Sequence, residues 1–494
     1  MYSVRTTKTS SGATAVQVVR YERRRTIVVK HVGSAHRSDE LASLKQIACD
    51  WIEKQSGQLS LFAEHNTRTH SLIPLDKCRY LGFRYTLVYE IIHGVFRLFR
   101  LDGLDLLLRD LALIRVVQPA SKLESLELLS TFFGKTYRRA ELYRLLPSFV
   151  KLKSQIEDKI SVFAQTRFQF DFSLVFYDVT TLYFESFKED EFRKNGYSKD
   201  HKANQPQIIL GLIVTREGFP IAYDIFEGNT FEGHTFLPIL RQFKEQHAIR
   251  HFTVVADAAM ISQDNITQLV DSQLSYIVGA RVANLTNDQI RALSQSLGQK
   301  DGASTRIETE RGPLICDFSL RRYQKDKREM EKQIARAEKL LAQNQVLKRT
   351  KFIKNESKTK PNFNYTLVEK TQMLLGIKGY YSNLTAVDNQ TIIDHYPSLW
   401  HVEQAFRIAK RDLAIRPIFH FKKQAIQAHV LICFIALAVC KYMELRSGKS
   451  IREVVSVLKS VTDARLQNQL NGEEITLRSE INPGVQQLLK SLQY

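Results

Sequence analysis

Two aspartates interrupt otherwise apolar runs, Asp178 in LVFYDVTT and Asp257 in TVVADAAM. A carboxylate at the end of a buried strand gives up hydration that hydrogen bonds, a cation or a metal must replace. Locally, Asp178 can cap a turn through Thr180 or Thr181, and Asp257 can cap a helix that begins near Ala258. Taken together, on strands expected to be neighbours, they point to a shared divalent cation, because hard ions such as Mg²⁺ favour carboxylate oxygens.

A third ligand is expected from a helix, and YPSLWHVEQAFRIAKRDL supplies one, with Pro397 in the first turn where proline is tolerated. At about 100° per residue with Glu403 as zero, Tyr396 falls at about +20°, Arg407 at about +40°, Lys410 at about −20° and Trp400 at about +60°. The apolar Val402, Phe406 and Leu413 fall between about −60° and −100°, so one side can be buried while the other faces a substrate. An ordinary ion-paired stripe has the same look. The two upstream aspartates favour the ligand role for Glu403.

The elements that must position these groups are legible as short β-branched or aromatic runs: SLVFYDVTTLYF, PQIILGLIV, FPIAYDIF, FTVVADAAM and LSYIVGA. Between the third and fourth, Phe236, Leu237, Leu240 and Phe243 recur at helical spacing. Three strands, a helix and further strands predict an α/β core built on a mixed sheet, rather than a sandwich or a bundle.

Upstream, residues 80 to 165 read as helical, with a stripe of Leu104, Leu107, Leu108, Leu111 and Ile114 and another of Leu123, Leu126 and Leu129. Arg138, Arg139 and Arg144 decorate a further helix; paired helices of this kind can enter a DNA groove or simply form a hairpin with a solvated face. At the N-terminus, short β-branched stretches flank Arg23, Arg24 and Arg25, the pattern of a hairpin with a charged turn or of a basic arm. From Arg321 to Lys360 there are 14 basic and 5 acidic residues, a surplus of nine in one segment. Its first part is heptad-like; its second is lysine-rich without apolar periodicity, and suits counterion displacement from phosphates. The expected organisation is therefore a basic arm and helix (1–70), a helical, DNA-binding region (71–168), the first part of the core (169–284), a basic insertion (285–370), the second part of the core with the glutamate helix (371–447) and a helical tail (448–494).

The chain of 494 residues carries a net charge of +19 and has a pI near 9.6, with 44% hydrophobic and 25% charged residues. That composition excludes wholesale disorder, and the charge makes a polyanion the leading partner, with solubility or anionic lipid as the blander explanations. Five cysteines form no CxxC pair and no dense disulfide framework, which fits a reducing compartment. The apolar run Val430 to Cys440 is short of the roughly 18 residues that span a bilayer and reads as a buried helix. With no apolar h-region at the N-terminus and no amphipathic membrane-surface segment, the expected location is the cytoplasm, at the nucleoid when bound to DNA.

These residues resemble the DDE transposases of the insertion-sequence-four superfamily, whose third motif is Y-x2-R-x3-E-x6-K. Tyr396, Glu403 and Lys410 fit it. Leu399 stands at the arginine position, a departure shared by the branch with a Y-x3-W-x-VE-x2-FR-x2-K pattern, which Trp400, Val402, Glu403, Phe406, Arg407 and Lys410 match. YDVTTLYFES, GYSKDHKANQPQIILGL, FEGNTFEGH and VVADAAMIS are similar to the same branch, and the likeness runs from RVVQPASKLE to AHVLICFIAL. One departure is Leu375, where the pattern has an aspartate before the glycine.

The resemblance implies a ribonuclease-H-like core in which Asp178, Asp257 and Glu403 are catalytic and hold two Mg²⁺ or Mn²⁺ ions, with an insertion between the second and third carboxylates. It implies cleavage and joining of double-stranded DNA, at element terminal repeats and target, by a chain that pairs two ends as a homodimer. Lys410 and Arg407 would grip phosphates, Tyr396 would position the strand, and Trp400 would stack on a base or pack in the core. Lys199 and Lys202, with His201, form a basic loop expected above the site. A non-catalytic DNA-binding derivative and a metal-dependent nuclease without strand transfer are the rival expectations.

Overall fold

The computed structural model describes residues 2–22, 25–56, 77–197, 204–260, 262–343, 350–354, 361–469 and 472–493. It divides into two compact units, the first made of Met1–Glu90, Glu127–Thr136 and Ser456–Lys490, the second of Ile91–Leu126, Tyr137–Val455 and Ser491–Tyr494.

In the first unit, β1 (Tyr2–Lys8), β2 (Thr14–Glu22) and β3 (Arg25–Ala35) form an antiparallel meander. Val16, Val18, Val32 and Ala35 bury against Leu44 and Ala48 of the helix Ser38–Ser56. The expected basic arm is thus a packed sheet, because alternate valines of one face have a helix to bury against. Arg23 and Arg24 lie outside the described residues. A second sheet joins β4 (Cys78–Arg84) to β15 (Asp463–Asn468) and β16 (Glu474–Arg478) in the order β16-β15-β4. These three strands depart from the helical readings of 71–168 and 448–494, which otherwise hold, with helices between Thr86 and Phe168 and at Ile451–Lys459 and Pro483–Leu492. The strands are short, and β4 pairs with a segment almost at the other end of the chain, so no local periodicity announces them.

The second unit is built on an eight-stranded mixed sheet comprising β5 (Leu174–Tyr183), β6 (Gln207–Val214), β7 (Pro220–Glu227), β8 (Thr253–Ala256), β9 (Ser275–Ala280), β10 (Ser304–Thr309), β11 (Gly312–Phe318) and β14 (Ile377–Ser382). A separate two-residue pair, β12 (Ile353–Lys354) and β13 (Asn362–Phe363), lies between β11 and β14 in sequence. The strand order is β10-β11-β14-β9-β8-β5-β6-β7. Only β5, β8 and β9 run parallel; the remaining pairings are antiparallel. Every residue of β6 is buried, which is why that run shows no alternation. Within the expected insertion 285–370, β10 and β11 instead continue the core sheet, while the long helix Leu320–Ala342 buries only Met330 and Ala337 of its length. Much of the lysine-rich part, at 344–349 and 355–360, lies outside the described residues.

The helix Lys423–Ser447 is the apolar centre of this unit, with all residues from Ala428 to Met443 buried. It is longer than the apolar run in the sequence indicated. Among the described residues it alone is long and apolar enough to cross a membrane, but 94% of its apolar window is buried inside the protein.

Beside it, Glu157 of the helix Lys153–Phe168 is almost wholly buried. It accepts the Tyr223 amide of β7 at 3.0 Å and the Lys153 ammonium at 3.0 Å. Burial outweighs both partners and lifts its pKa from 4.5 to about 7. An acid with a raised folded-state pKa stabilises most below its unfolded value and loses that stability as pH climbs through the folded one. Glu157→Gln keeps an acceptor for Tyr223 and removes this dependence, so denaturant unfolding at pH 8 should find it more stable than the parent by on the order of 1–3 kcal/mol, with no such gain at pH 4. A variant weaker than the parent at pH 8 would show that the ion pair with Lys153 prevails.

Candidate active site

The parallel pairing of β5 with β8 ends at Tyr177 opposite Ala256. The next residues are Asp178 and Asp257, which therefore leave that shared edge side by side. Asp178 does not end its strand as the sequence suggests: β5 runs on to Tyr183, paired with β6 from Leu212 to Gln207. The β-branched and aromatic residues that follow it favour extended chain, and Thr180 and Thr181 are buried in the sheet rather than in a turn. Only on the β8 side does the sheet stop at this level, which opens the edge of β5 beside Asp178 at the carboxyl end of β8, the usual side for a ligand in an open α/β sheet.

Both aspartates bond to the backbone just ahead of them. Asp178 Oδ1 accepts the Val179 amide at 2.7 Å, and Asp257 Oδ1 accepts the Ala258 amide at 2.7 Å, where the short 3₁₀ turn Ala258–Met260 begins. For Asp257, that bond reaches only the first amide of the turn, not the second or third that an N-cap serves.

Glu403 sits on the helix Trp400–Arg407, exposed, while Val402, Ala405 and Phe406 on the other side are buried. The single helix expected from Tyr396 to Leu413 is in fact three segments: a 3₁₀ turn Tyr396–Leu399, this α-helix, and a π-helical turn Ile408–Asp412. Pro397 starts the tight segment. The wide turn shifts Lys410, which is half-buried, from the register of a uniform helix; such turns are frequent at functional sites. Arg407 is exposed, and its charge helps to push the pKa of Lys441 down, after burial. Trp400 is 50% exposed and stacks on His401 with ring centroids 4.1 Å apart, so it is not a core residue. Lys199, His201 and Lys202 lie outside the described residues.

Tyr396 joins these pieces. Its hydroxyl donates to Asp257 Oδ1 at 3.3 Å, and its pKa is pushed up by burial first, then by Asp257, Asp178 and Glu403. One phenol thus feels all three carboxylates. Space for it comes from Gly279 of β9, where an added Cβ would stand 2.4 Å from the Tyr396 hydroxyl oxygen. Of the three carboxylates Asp257 bonds to this phenol, while Asp178 and Glu403 act on it through their charge; among the described residues no three of His, Cys, Asp and Glu are grouped to hold a metal. In donor type, oxygen ligands from three carboxylates fit Mg²⁺ or Mn²⁺.

Sequence reasoning missed a cationic wall beside Tyr396. Lys378 of β14 places its ammonium 4.1 Å from the Tyr396 ring centroid and 5.4 Å from that of Tyr380, and the two rings lie 4.9 Å apart. Burial and Arg322 lower the Lys378 pKa, while Asp317 and Asp257 oppose them. The Tyr380 hydroxyl bonds to Asp317, whose own carboxyl is raised by burial. The available signal was a lone lysine in the apolar strand IKGYYS, two residues after the glycine that follows Leu375.

A comparison with protein families matches residues 169–439 to the family described as Transposase DDE domain. No curated protein matches the chain. Among solved structures it is similar to the piggyBac transposase in a cryo-EM synaptic complex with hairpin DNA, at 10% identity and a TM-score of 0.34, over 76% of this chain and 68% of that one. The family match spans more than half of the 494 residues and takes in Asp178, Asp257 and Glu403, and the chain belongs to the transposase DDE domain family.

Proposed function

We propose that this protein is the transposase of a bacterial-type insertion sequence of the insertion-sequence-four superfamily, that its eight-stranded unit is a ribonuclease-H-like core, and that it cleaves and joins DNA through Asp178, Asp257 and Glu403. The observation that supports this reading is that Tyr396 bonds to Asp257 and lies within the electrostatic reach of Asp178 and Glu403, so one phenol links residues of two neighbouring strands and the glutamate helix. They would hold two Mg²⁺ or Mn²⁺ ions, which supply Lewis-acid stabilisation of the attacking and leaving oxygens at phosphorus. Tyr396 keeps Asp257 oriented through its hydroxyl, and Lys378 braces the ring. Arg407, exposed on the glutamate helix, and Lys410 on the turn after it are the phosphate-gripping groups, and the exposed face of Trp400 is a stacking platform for a base. Lys199 and Lys202 add charge to the same substrate. Element ends and target DNA are the partners, and two ends call for a homodimer on DNA.

The spread of the carboxylates supports a second reading, that of a DNA-binding derivative without catalysis. Incubating the purified chain with DNA carrying the element's ends and a target, with and without Mg²⁺, and sequencing the products decides between them. Ends joined to target only with Mg²⁺ are expected. Hydrolysed ends without joining would make it a nuclease, and bound but intact ends would make it the derivative.

A further inference from the structure

We propose that the cavity walled by the turn Pro119–Lys122 and the segment Ala414–His420 is a binding site for a phosphate group, distinct from the carboxylate site. Its volume is about 230 Å³, and its walls carry Arg115, Lys122, Arg416, His420 and His429 with no acidic residue.

Three of these side chains are more than nine-tenths buried: Arg115 is 4% exposed, Lys122 6% and His429 5%. The hydrogen bonds fix their roles. His429 Nε2 meets the Ile415 carbonyl at 2.9 Å, and a carbonyl can only accept, so the ring proton sits there. His429 Nδ1 is then an acceptor for Lys122 Nζ at 3.1 Å. Whether amine or ammonium, Lys122 keeps at least one further N–H to donate after His429 takes one. Arg115 spends one nitrogen on the Leu413 carbonyl at 3.3 Å. The charges acting on Lys122 are those of Arg115 and the Cys433 thiol, and those on His420 are Lys122 and Arg115, with no carboxylate among them.

A buried charge is ordinarily paired, because desolvation without a counter-ion is costly. Here burial and mutual repulsion hold Lys122 well below its usual range and bring His420 down to about 4. A pocket of donors with suppressed charge is completed by an anion that restores it. Guanidinium, ammonium and imidazole donors in one cavity suit the several oxygens of a phosphate. The Ser121 hydroxyl accepts the Glu124 amide at the start of the helix Lys122–Phe133, which leaves its own proton to donate. The same wall is tied to the strand of Asp178: the Ile418 amide donates to the Tyr183 carbonyl at 3.1 Å, and Phe184 bridges to Ile418. A DNA backbone phosphate seated there would be indexed to the carboxylate site; a free phosphate would use the same donors.

The test uses the full chain and measures melting temperature and binding heat with inorganic phosphate, with a short DNA duplex, and with chloride at equal ionic strength. Saturable stabilisation is expected, with uptake of protons seen as a buffer-dependent heat, because Lys122 and His420 regain their charge. Lys122→Met keeps the volume and removes the charge. It should weaken binding by about tenfold or more while raising the melting temperature of the ligand-free chain. Should that variant not fold, His420→Gln is expected to lose the proton uptake and several-fold in affinity. Saturation by phosphate alone identifies a free-anion site, and a response only to the duplex, weakened by the variant, identifies the backbone. No stabilisation beyond chloride by either ligand, or stabilisation undiminished in the variants, overturns the proposal. Strand joining is not a readout of this experiment, so its outcome is independent of the transposase reading.

Discussion

Asp178→Asn, Asp257→Asn and Glu403→Gln should each reduce metal-dependent cleavage of end DNA by about three orders of magnitude or more, with binding to the same DNA nearly unchanged. The size follows from the role: charge stabilisation by a bound divalent ion is worth several kcal/mol, and each 1.36 kcal/mol or so is a factor of ten. The amide variants are the right tools because each keeps an acceptor oxygen where the carboxylate bonds its neighbour's amide, at Val179 for Asp178 and at Ala258 for Asp257. The fold is therefore preserved, which circular dichroism and unchanged DNA affinity would verify. A nicking assay on supercoiled DNA reads the loss, and chelation of the metal should match it. Cleavage by Asp178→Asn within tenfold of the parent would remove Asp178 from the mechanism.

The second large effect belongs to a residue with no side chain. Gly279→Ala would place a methyl group 2.4 Å from the Tyr396 hydroxyl oxygen and 3.3 Å from the Ala258 amide nitrogen. The phenol has little room to yield, because Lys378 covers its ring and Tyr380 packs against it. Overpacking of this kind costs about 1–3 kcal/mol. Displacing the phenol also frees Asp257, and cleavage should drop by about a hundredfold, the usual penalty for a misplacement near 1 Å. Tyr396→Phe removes the clashing oxygen, so the double variant should recover most of the stability but not the activity. Thermal unfolding of the two singles and the double measures the coupling. Additive losses would mean that the methyl is accommodated some other way.

The strands of the large sheet were legible where burial on both faces leaves an unbroken apolar run: β5 to β9 fall on the five runs picked out by composition. Asp178 and Asp257 could be noticed for the same reason, since a charge in such a run stands out. The helix of Glu403 was legible in its buried face, Val402 and Phe406, but not in its breaks, because a 3₁₀ or π turn conserves the apolar spacing over so few residues. Lys378, Asp317 and Arg322 escaped notice because their relation to Tyr396 exists only once β14 lies between β9 and β11, and 96 residues separate the ends of β9 and β14 that pairing brings together. The same holds for Lys122 and His429, which meet across 307 residues. The strands β4, β15 and β16 were invisible for a different reason: they join distant segments and are tied by cross-strand ion pairs, Arg478 with Asp463 and Arg465 with Glu474, that no local pattern announces.

The pairing of β11 with β14 has a consequence for shortened derivatives of this chain. The segment between Ala280 and Ile377 looks dispensable as an appendage, yet its strands shield one flank of β14, with Leu314 to Phe318 zipped onto Ile377 to Tyr381. Deleting it strips Leu314, Ile315 and Cys316 from the interior and lays bare a row of amides and carbonyls ready to recruit another chain. The remnant is then a seed for precipitation rather than a smaller enzyme.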